Sequence, residues 1–329
     1  MGCRNDVRCP KCRMTMTTPE LAELARHTRH LREAGFALTL ASLILGLFLF
    51  FPLADVHGPS ASVTLATTTP ALFPVAPIEA SAAIVYDLAT GETLYEKNAN
   101  AQLPLASLTK LLTVYAALVH LSPSSPITIS PDAALTEAPH ALRAGETFAL
   151  SDIARITLTA SLNDGAAAIA EAAAQADDHR AMSDTLAGAA ASLDLAETYA
   201  MNGNGLDVNT AVSGGYGSAR DIARLAGALA AKAPDIALAT THAEARATSL
   251  AGRSYRVKNT DPIVDTIPGL LLSKTGYTTL AGGNLALVFD VGIAHPIAVV
   301  VLGSSKDSRF TDGMTLVSAT IAHFAESSL

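Results

Sequence analysis

Ser107 stands three residues before Lys110, at the mouth of an apolar run from Leu111 to Leu118. On a helix, residues three apart share a face, so the Ser107 hydroxyl and the Lys110 amine point the same way. A serine hydroxyl is a weak nucleophile until a neighbour takes its proton. A lysine one turn away can do that, provided its own pKa is pulled down. Pro104 and Ser107 read as helix-start signals, and the helix is expected to end before Pro123. At average composition a Ser-x-x-Lys match arises about once in a few hundred residues, so an ordinary helix start with a surface lysine explains the pair equally well.

Two further motifs follow in the chain. Ser161-Leu162-Asn163 falls between two predicted helices, and Lys274-Thr275-Gly276 falls at the end of a predicted strand. Each has an ordinary explanation of its own. Ser161 or Asn163 could cap a helix beginning at Asp164, and Lys274 to Gly276 could be a strand end with a turn glycine. Together they offer the first pair a second serine, an asparagine and a second lysine. Of the nine histidines none lies in a G-x-S-x-G context, which removes support for a Ser-His-Asp hydrolase. His120, His140, His179 and His242 read as surface residues.

The elements that must position these groups can be read from periodicity. Residues 83–86 and 93–96 predict strands joined around a turn at 87–91. Helices are expected over 150–159, 164–176, 180–193 and 218–231, the last capped by Ser218. Residues 201–217, crowded with Gly and Asn, read as loop. Strands follow at 254–258, 269–274, 284–291 and 296–302, with a turn at 281–283 and a closing helix over 311–325. Early and late strands in one antiparallel sheet, flanked by helices and interrupted by a large helical insertion, give an α+β fold.

Half of the residues are hydrophobic and only 16% are charged, which leaves apolar sequence beyond the needs of a core. The excess lies in residues 35–54, an uncharged run long enough to cross a bilayer as one helix. Before it stand Arg4, Arg8, Lys11, Arg13, Arg26, Arg29 and Arg32 against Asp6, Glu20, Glu23 and Glu33, whereas the whole chain carries −8. That asymmetry predicts an uncleaved single-pass anchor with the N-terminus inside and the remainder outside. The expected organisation is a cytoplasmic basic tail (1–34), a transmembrane anchor (35–56), a Pro/Thr-rich linker (57–77) and an extracytoplasmic catalytic domain (78–329). The three cysteines all precede the anchor, so the outer domain owes nothing to disulfides. Cys9 and Cys12 with His27 and His30 form a weak zinc candidate in the tail, against the alternative of free thiols on a juxtamembrane helix. An acidic outer domain argues against nucleic acid.

Taken with their flanks, the three motifs resemble those of the penicillin-binding proteins and serine β-lactamases. The matching stretches are AAIVYDLATGETLYEKNAN (82–100), SLNDGAAAIAEAA (161–173) and GLLLSKTGYTTLAGGNLALVF (269–289). Within that group the chain is similar to the low-molecular-mass serine D-alanyl-D-alanine carboxypeptidases, over residues 77–302. The resemblance implies a β-lactamase/transpeptidase-like fold, no cofactor, peptidoglycan stem peptide as substrate and β-lactams as covalent inhibitors, at the bacterial cytoplasmic membrane. It implies Ser107 as nucleophile, Lys110 as base and Ser161 as proton relay. Asn163, Lys274, Thr275 and Gly276 would bind substrate, and the backbone N–H groups of Ser107 and Tyr277 would hold the oxyanion. The loop Asn202 to Asp207 resembles the family's Gly-Leu-Asp loop and is assigned shape rather than chemistry. Gly165 replaces an alanine of the family pattern. A D,D-endopeptidase or a serine β-lactamase on the same fold, or a non-catalytic sensor of cell-wall fragments, are the alternatives. A β-lactamase would need a deacylating acid between the second and third motifs, where Glu171 and Glu197 have no recognisable context.

Overall fold

The computed structural model describes residue 73, residues 77–178 and residues 180–327. The tail, the anchor segment, most of the linker and His179 lie outside the described residues. No helix among the described residues is long and apolar enough to cross a membrane.

Strands Ala82–Asp87, Thr93–Lys97, Leu270–Thr278, Gly282–Asp290 and Pro296–Ser304 form one antiparallel sheet. The first strand pairs with the last, as Ile84 with Val300, and the Leu270–Thr278 strand lies at one edge. The early and late strands thus join as their patterns predict. Apart from the other edge strand, Thr93–Lys97, their near-continuous apolar sequence follows from burial on both faces. On one face Ile84, Leu272, Val288 and Val300 share a core with helix Ala219–Lys232, which packs on these strands, and with helix Thr109–His120 beyond it. On the other, Val85, Leu287, Phe289 and Val299 meet Leu316 and Val317 of the C-terminal helix, Ser308–Ser327. The alternation is the two-residue period of a strand, and each fully buried large aliphatic contributes about 1.5–3 kcal/mol.

Between the second and third of these strands lies the helical insertion. It contains Thr109–His120, Leu150–Ala160, Asn163–Ala176, Met182–Ala191 and Ala219–Lys232. Ser218 caps the last of these by accepting from Asp221 N–H. Several expectations shift. The strand carrying Lys274 does not stop there but runs on to Thr278, because its partner strand continues alongside to Gly282. A hairpin partner for Ser254–Lys258, Glu244–Thr248, was hidden because its buried positions, 245 and 247, are alanines without strand preference. The folded domain also begins before residue 78: Phe73 is buried against Tyr95 and His323, with ring centroids 6.0 and 5.7 Å away.

Candidate active site

Ser107 does not cap a helix. It sits in a 3₁₀ turn, Ala106–Leu108, that runs into Thr109–His120 with no side-chain cap. Pro104 belongs to a two-residue strand, Leu103–Pro104, paired to Tyr216 and Gly217. The hydroxyl is therefore not spent on backbone N–H groups. The turn is held from two sides. Leu105 N–H donates to Gly215 O at 2.9 Å. Buried Asn284 donates through Nδ2 to Pro104 O at 2.9 Å and accepts from Gly303 N–H at 2.8 Å. Ala106 itself adopts φ 48°, a left-handed conformation that is strained for a non-glycine residue and that local packing must enforce.

Lys110 is completely buried, and its Nζ has three oxygen neighbours. Ser107 Oγ lies at 2.8 Å, Asn163 Oδ1 at 2.8 Å and the backbone carbonyl of Asn204 at 2.7 Å. Asn204 O can only accept, and so can Asn163 Oδ1, whose amide is oriented by Nδ2 donating to Glu137 O at 2.8 Å. A neutral amine has two N–H donors and one lone pair. With both donors taken by those two carbonyls, the lone pair faces the Ser107 hydroxyl. Burial and then the Lys274 ammonium hold the Lys110 pKa well below the ordinary lysine range, opposed by Asp164. The Asn202 to Asp207 loop thus supplies a partner for the amine as well as shape. A backbone carbonyl leaves no mark in residue identity, so only the Asn/Gly crowding of the loop was readable.

Ser161 is the left-handed residue (φ 58°) that ends helix Leu150–Ala160, and Asn163 is the first residue of the next helix. Neither side chain caps that helix, whose N-cap position is Leu162 without a side-chain bond. The Ser161 hydroxyl instead accepts from Lys274 Nζ at 2.9 Å. Lys274, also buried, donates to Thr275 O at 2.7 Å. Burial first, then the nearby Arg309 guanidinium, push its pKa down to about 7. Thr275 Oγ1 lies 2.6 Å from Thr260 Oγ1. Gly276 faces the nucleophile turn: a Cβ there would stand 2.9 Å from Leu105 O and 3.3 Å from Ser107 N. The Tyr277 side chain is exposed, with Lys306 Nζ 5.4 Å from its ring centroid.

The structure therefore brings Ser107, Lys110, Ser161, Asn163, Lys274, Thr275 and Gly276 to one place, each serine hydroxyl within 2.9 Å of one lysine amine. Sequence reasoning missed Arg309, which donates to Gly276 O at 2.6 Å from the first turn of the C-terminal helix. Nothing in its local sequence distinguishes it from a surface arginine. Gly165 is tied to its surroundings: a Cβ there would come within 2.0 Å of Thr157 Oγ1, so the family's alanine does not fit beside this threonine. His120, His140 and His242 are exposed. Among the described residues no hydrogen bond links the carboxylate of Glu171 or Glu197 to the cluster, and no group of acids, His and Cys is arranged to hold a metal ion.

A serine in the turn that opens a helix, with a lysine in that helix's first turn and a Lys-Thr-Gly edge strand facing both, marks the serine acyl-transfer class to which penicillin-binding proteins belong. The model of the D-alanyl-D-alanine carboxypeptidase family, Peptidase S11, matches residues 66–306, and the chain belongs to that family. It is 29% identical to D-alanyl-D-alanine carboxypeptidase DacF of Bacillus subtilis, over 70% of this chain and 59% of that protein. It is 26% identical to a D-alanyl-D-alanine endopeptidase of Pseudomonas aeruginosa, over 73% of this chain and 76% of that one. Penicillin-binding protein D2 of Listeria monocytogenes, solved in its ampicillin-bound form, superposes with a TM-score of 0.62 at 25% identity, covering 75% of this chain and 98% of that structure.

Proposed function

We propose that this protein is a membrane-anchored serine D-Ala-D-Ala carboxypeptidase that trims peptidoglycan stem peptides outside the cytoplasmic membrane. Ser107 Oγ attacks the carbonyl carbon between the two terminal D-alanines as Lys110 takes its proton. The oxyanion is held by the backbone N–H groups of Ser107 and Tyr277. The C–N bond breaks, Ser161 passes a proton to the departing D-alanine amine, and water then hydrolyses the Ser107 ester. Lys274 and the Thr275 hydroxyl receive the terminal carboxylate. Gly276 leaves the strand edge clear for substrate to lie along it as an added strand. Asn163 aligns the substrate amide and the Lys110 amine. β-Lactams acylate the same hydroxyl, with Ser107 attacking and opening the lactam ring.

The observation that carries this reading is the Lys110 amine 2.8 Å from Ser107 Oγ, with its other two partners both pure acceptors. The anchor is argued from residues 35–54 and from the charge asymmetry around them. The test is incubation with a labelled penicillin and with a peptide ending in D-Ala-D-Ala. Wild type should form a stable adduct on Ser107 and release D-alanine, and Lys110→Ala should lower acylation about 10³-fold with cooperative unfolding retained. Absence of any adduct would falsify the enzymatic reading, and rapid penicillin turnover would turn it toward a β-lactamase. Membrane fractionation with protease accessibility tests the anchor: release of the domain by salt alone would overturn it. Cleavage of cross-linked peptides is the second reading, favoured by the similarity to the P. aeruginosa endopeptidase.

A further inference from the structure

Asp164 is fully buried, carries a carboxylate and, beyond its charge opposing the lowered Lys110 pKa, has no part in the chemistry just described. Its Oδ2 accepts from Ala141 N–H at 2.7 Å and from Leu142 N–H at 2.6 Å. Its Oδ1 accepts from Gly165 N–H at 2.7 Å. Burying a carboxylate costs several kcal/mol, and here backbone dipoles compensate it. The segment that supplies two of those dipoles also grips Asn163. Asn163 N–H donates to Pro139 O at 2.7 Å, and its Nδ2 donates to Glu137 O at 2.8 Å.

The amide of Asn163 can present oxygen or nitrogen to Lys110 by turning about its last bond. With Nδ2 tied to Glu137 O, the oxygen faces the amine at 2.8 Å. In the flipped amide an N–H would meet the amine instead and claim the lone pair that must face Ser107. The direction of that lone pair thus depends on where Glu137 O is held. The acid that holds its segment is the next residue in the chain after Asn163.

We propose that Asp164 is a positioning residue: by pinning residues 137–142 it fixes the amide of Asn163, and through that amide it aims the Lys110 lone pair at Ser107. The proposal rests on Lys110 acting as the base. It is read from the second-order rate at which labelled penicillin acylates Ser107 in the full-length chain. The variants are Asp164→Ala, Asp164→Asn, Asn163→Ala and the Asn163→Ala/Asp164→Ala pair. Each alanine variant should lose about 10²-fold, the scale of a misdirected general base. Asp164→Asn keeps one oxygen for the N–H groups of Ala141 and Leu142, and it should recover at least about tenfold of that loss. The double variant should acylate no more than about threefold slower than Asn163→Ala alone, because the two side chains act as one unit.

Losses that multiply in the double variant would mean that Asp164 supports the fold without acting through Asn163, and the proposal would fail. So would an Asp164→Ala protein that acylates like wild type. If Asp164→Ala does not unfold cooperatively, the same comparison is made with Asp164→Asn in the Asn163→Ala background, where non-additive losses support the proposal and multiplying losses overturn it. A wild-type chain that takes up no penicillin counts against the enzymatic reading, whereas a reactive wild type with multiplying losses counts against Asp164 alone.

Discussion

At the residue scale the site is two buried lysines, each lowered in pKa for a different first neighbour. After burial itself, Lys274 is what lowers Lys110, and Arg309 is what lowers Lys274. A base must be neutral to work, so acylation should rise as pH climbs through the Lys110 pKa. Lys274→Met removes the neighbouring charge, and the Lys110 pKa then moves up. The acid limb of the acylation profile should accordingly shift to higher pH in Lys274→Met, measured with labelled penicillin between about pH 5 and 9. A limb that stays put, or moves to lower pH, would break the link between the two lysines. The same charges bear on stability. Between its folded and unfolded pKa values Lys110 is neutral when folded and protonated when unfolded, so unfolding takes up a proton and stability rises with pH. The spacing of Ser107 and Lys110, and that of Ser161 and Asn163, was visible because each is a local relation along a helix or across a helix junction. The Asn204 carbonyl and Arg309 were not, since one has no side-chain signature and the other reaches the site from a distant element.

At the scale of elements, the decisive contact is the edge strand against the 3₁₀ turn of the nucleophile. In the proposed reaction both carry backbone groups that converge on one oxyanion, so the separation is set by what stands between them. Gly276 leaves nothing there. A methyl at 276 would press on Leu105 O at 2.9 Å and on the N–H groups of Ser107 and Leu108 at 3.3 Å, all backbone atoms with little freedom to yield. Gly276→Ala should therefore push the strand outward. The expected result is a loss of about 10²-fold in acylation, the scale of one oxyanion donor, for a stability cost of about 1–3 kcal/mol. Labelled-penicillin kinetics beside thermal melts test this, and a variant that acylates within about threefold of wild type would show that the approach is not limiting. The glycine could be read as a turn or as an edge in the sequence, and only the pairing of Lys274 with Ala286 through to Thr278 with Gly282 decides for the edge. The sheet itself was legible because its apolar runs are short and flanked by turns. The hairpin at Glu244–Thr248 was not, since alanines, which carry no strand preference, fill its buried positions 245 and 247 between Glu244, Arg246 and Thr248.

At the scale of the molecule, the active site lies where the helical insertion meets the sheet, so anything that seats the sheet also seats Lys274 and Gly276. The outer face of the sheet is closed by the C-terminal helix, and Arg309 in its first turn holds Gly276 O. Phe73 adds to the same face, buried beside Tyr95 and His323 although its neighbours in sequence read as linker. Composition marks that stretch as unpatterned, and a lone aromatic in it carries no period from which docking could be foreseen. A boundary at residue 78 would thus leave out this buried ring. A fragment beginning at residue 68 keeps this contact and one beginning at residue 78 loses it, so the shorter fragment should melt at lower temperature. Phe73→Ala in the longer fragment should reproduce most of the difference, about 2–4 kcal/mol given a site that remains close to solvent. Because the deleted ring touches Tyr95 and the C-terminal helix but none of the catalytic side chains, penicillin acylation of either fragment should be nearly unchanged below its melting transition. Equal melting temperatures for the two fragments would place the start of the folded domain at residue 78 after all, and would make Phe73 a passenger on its surface.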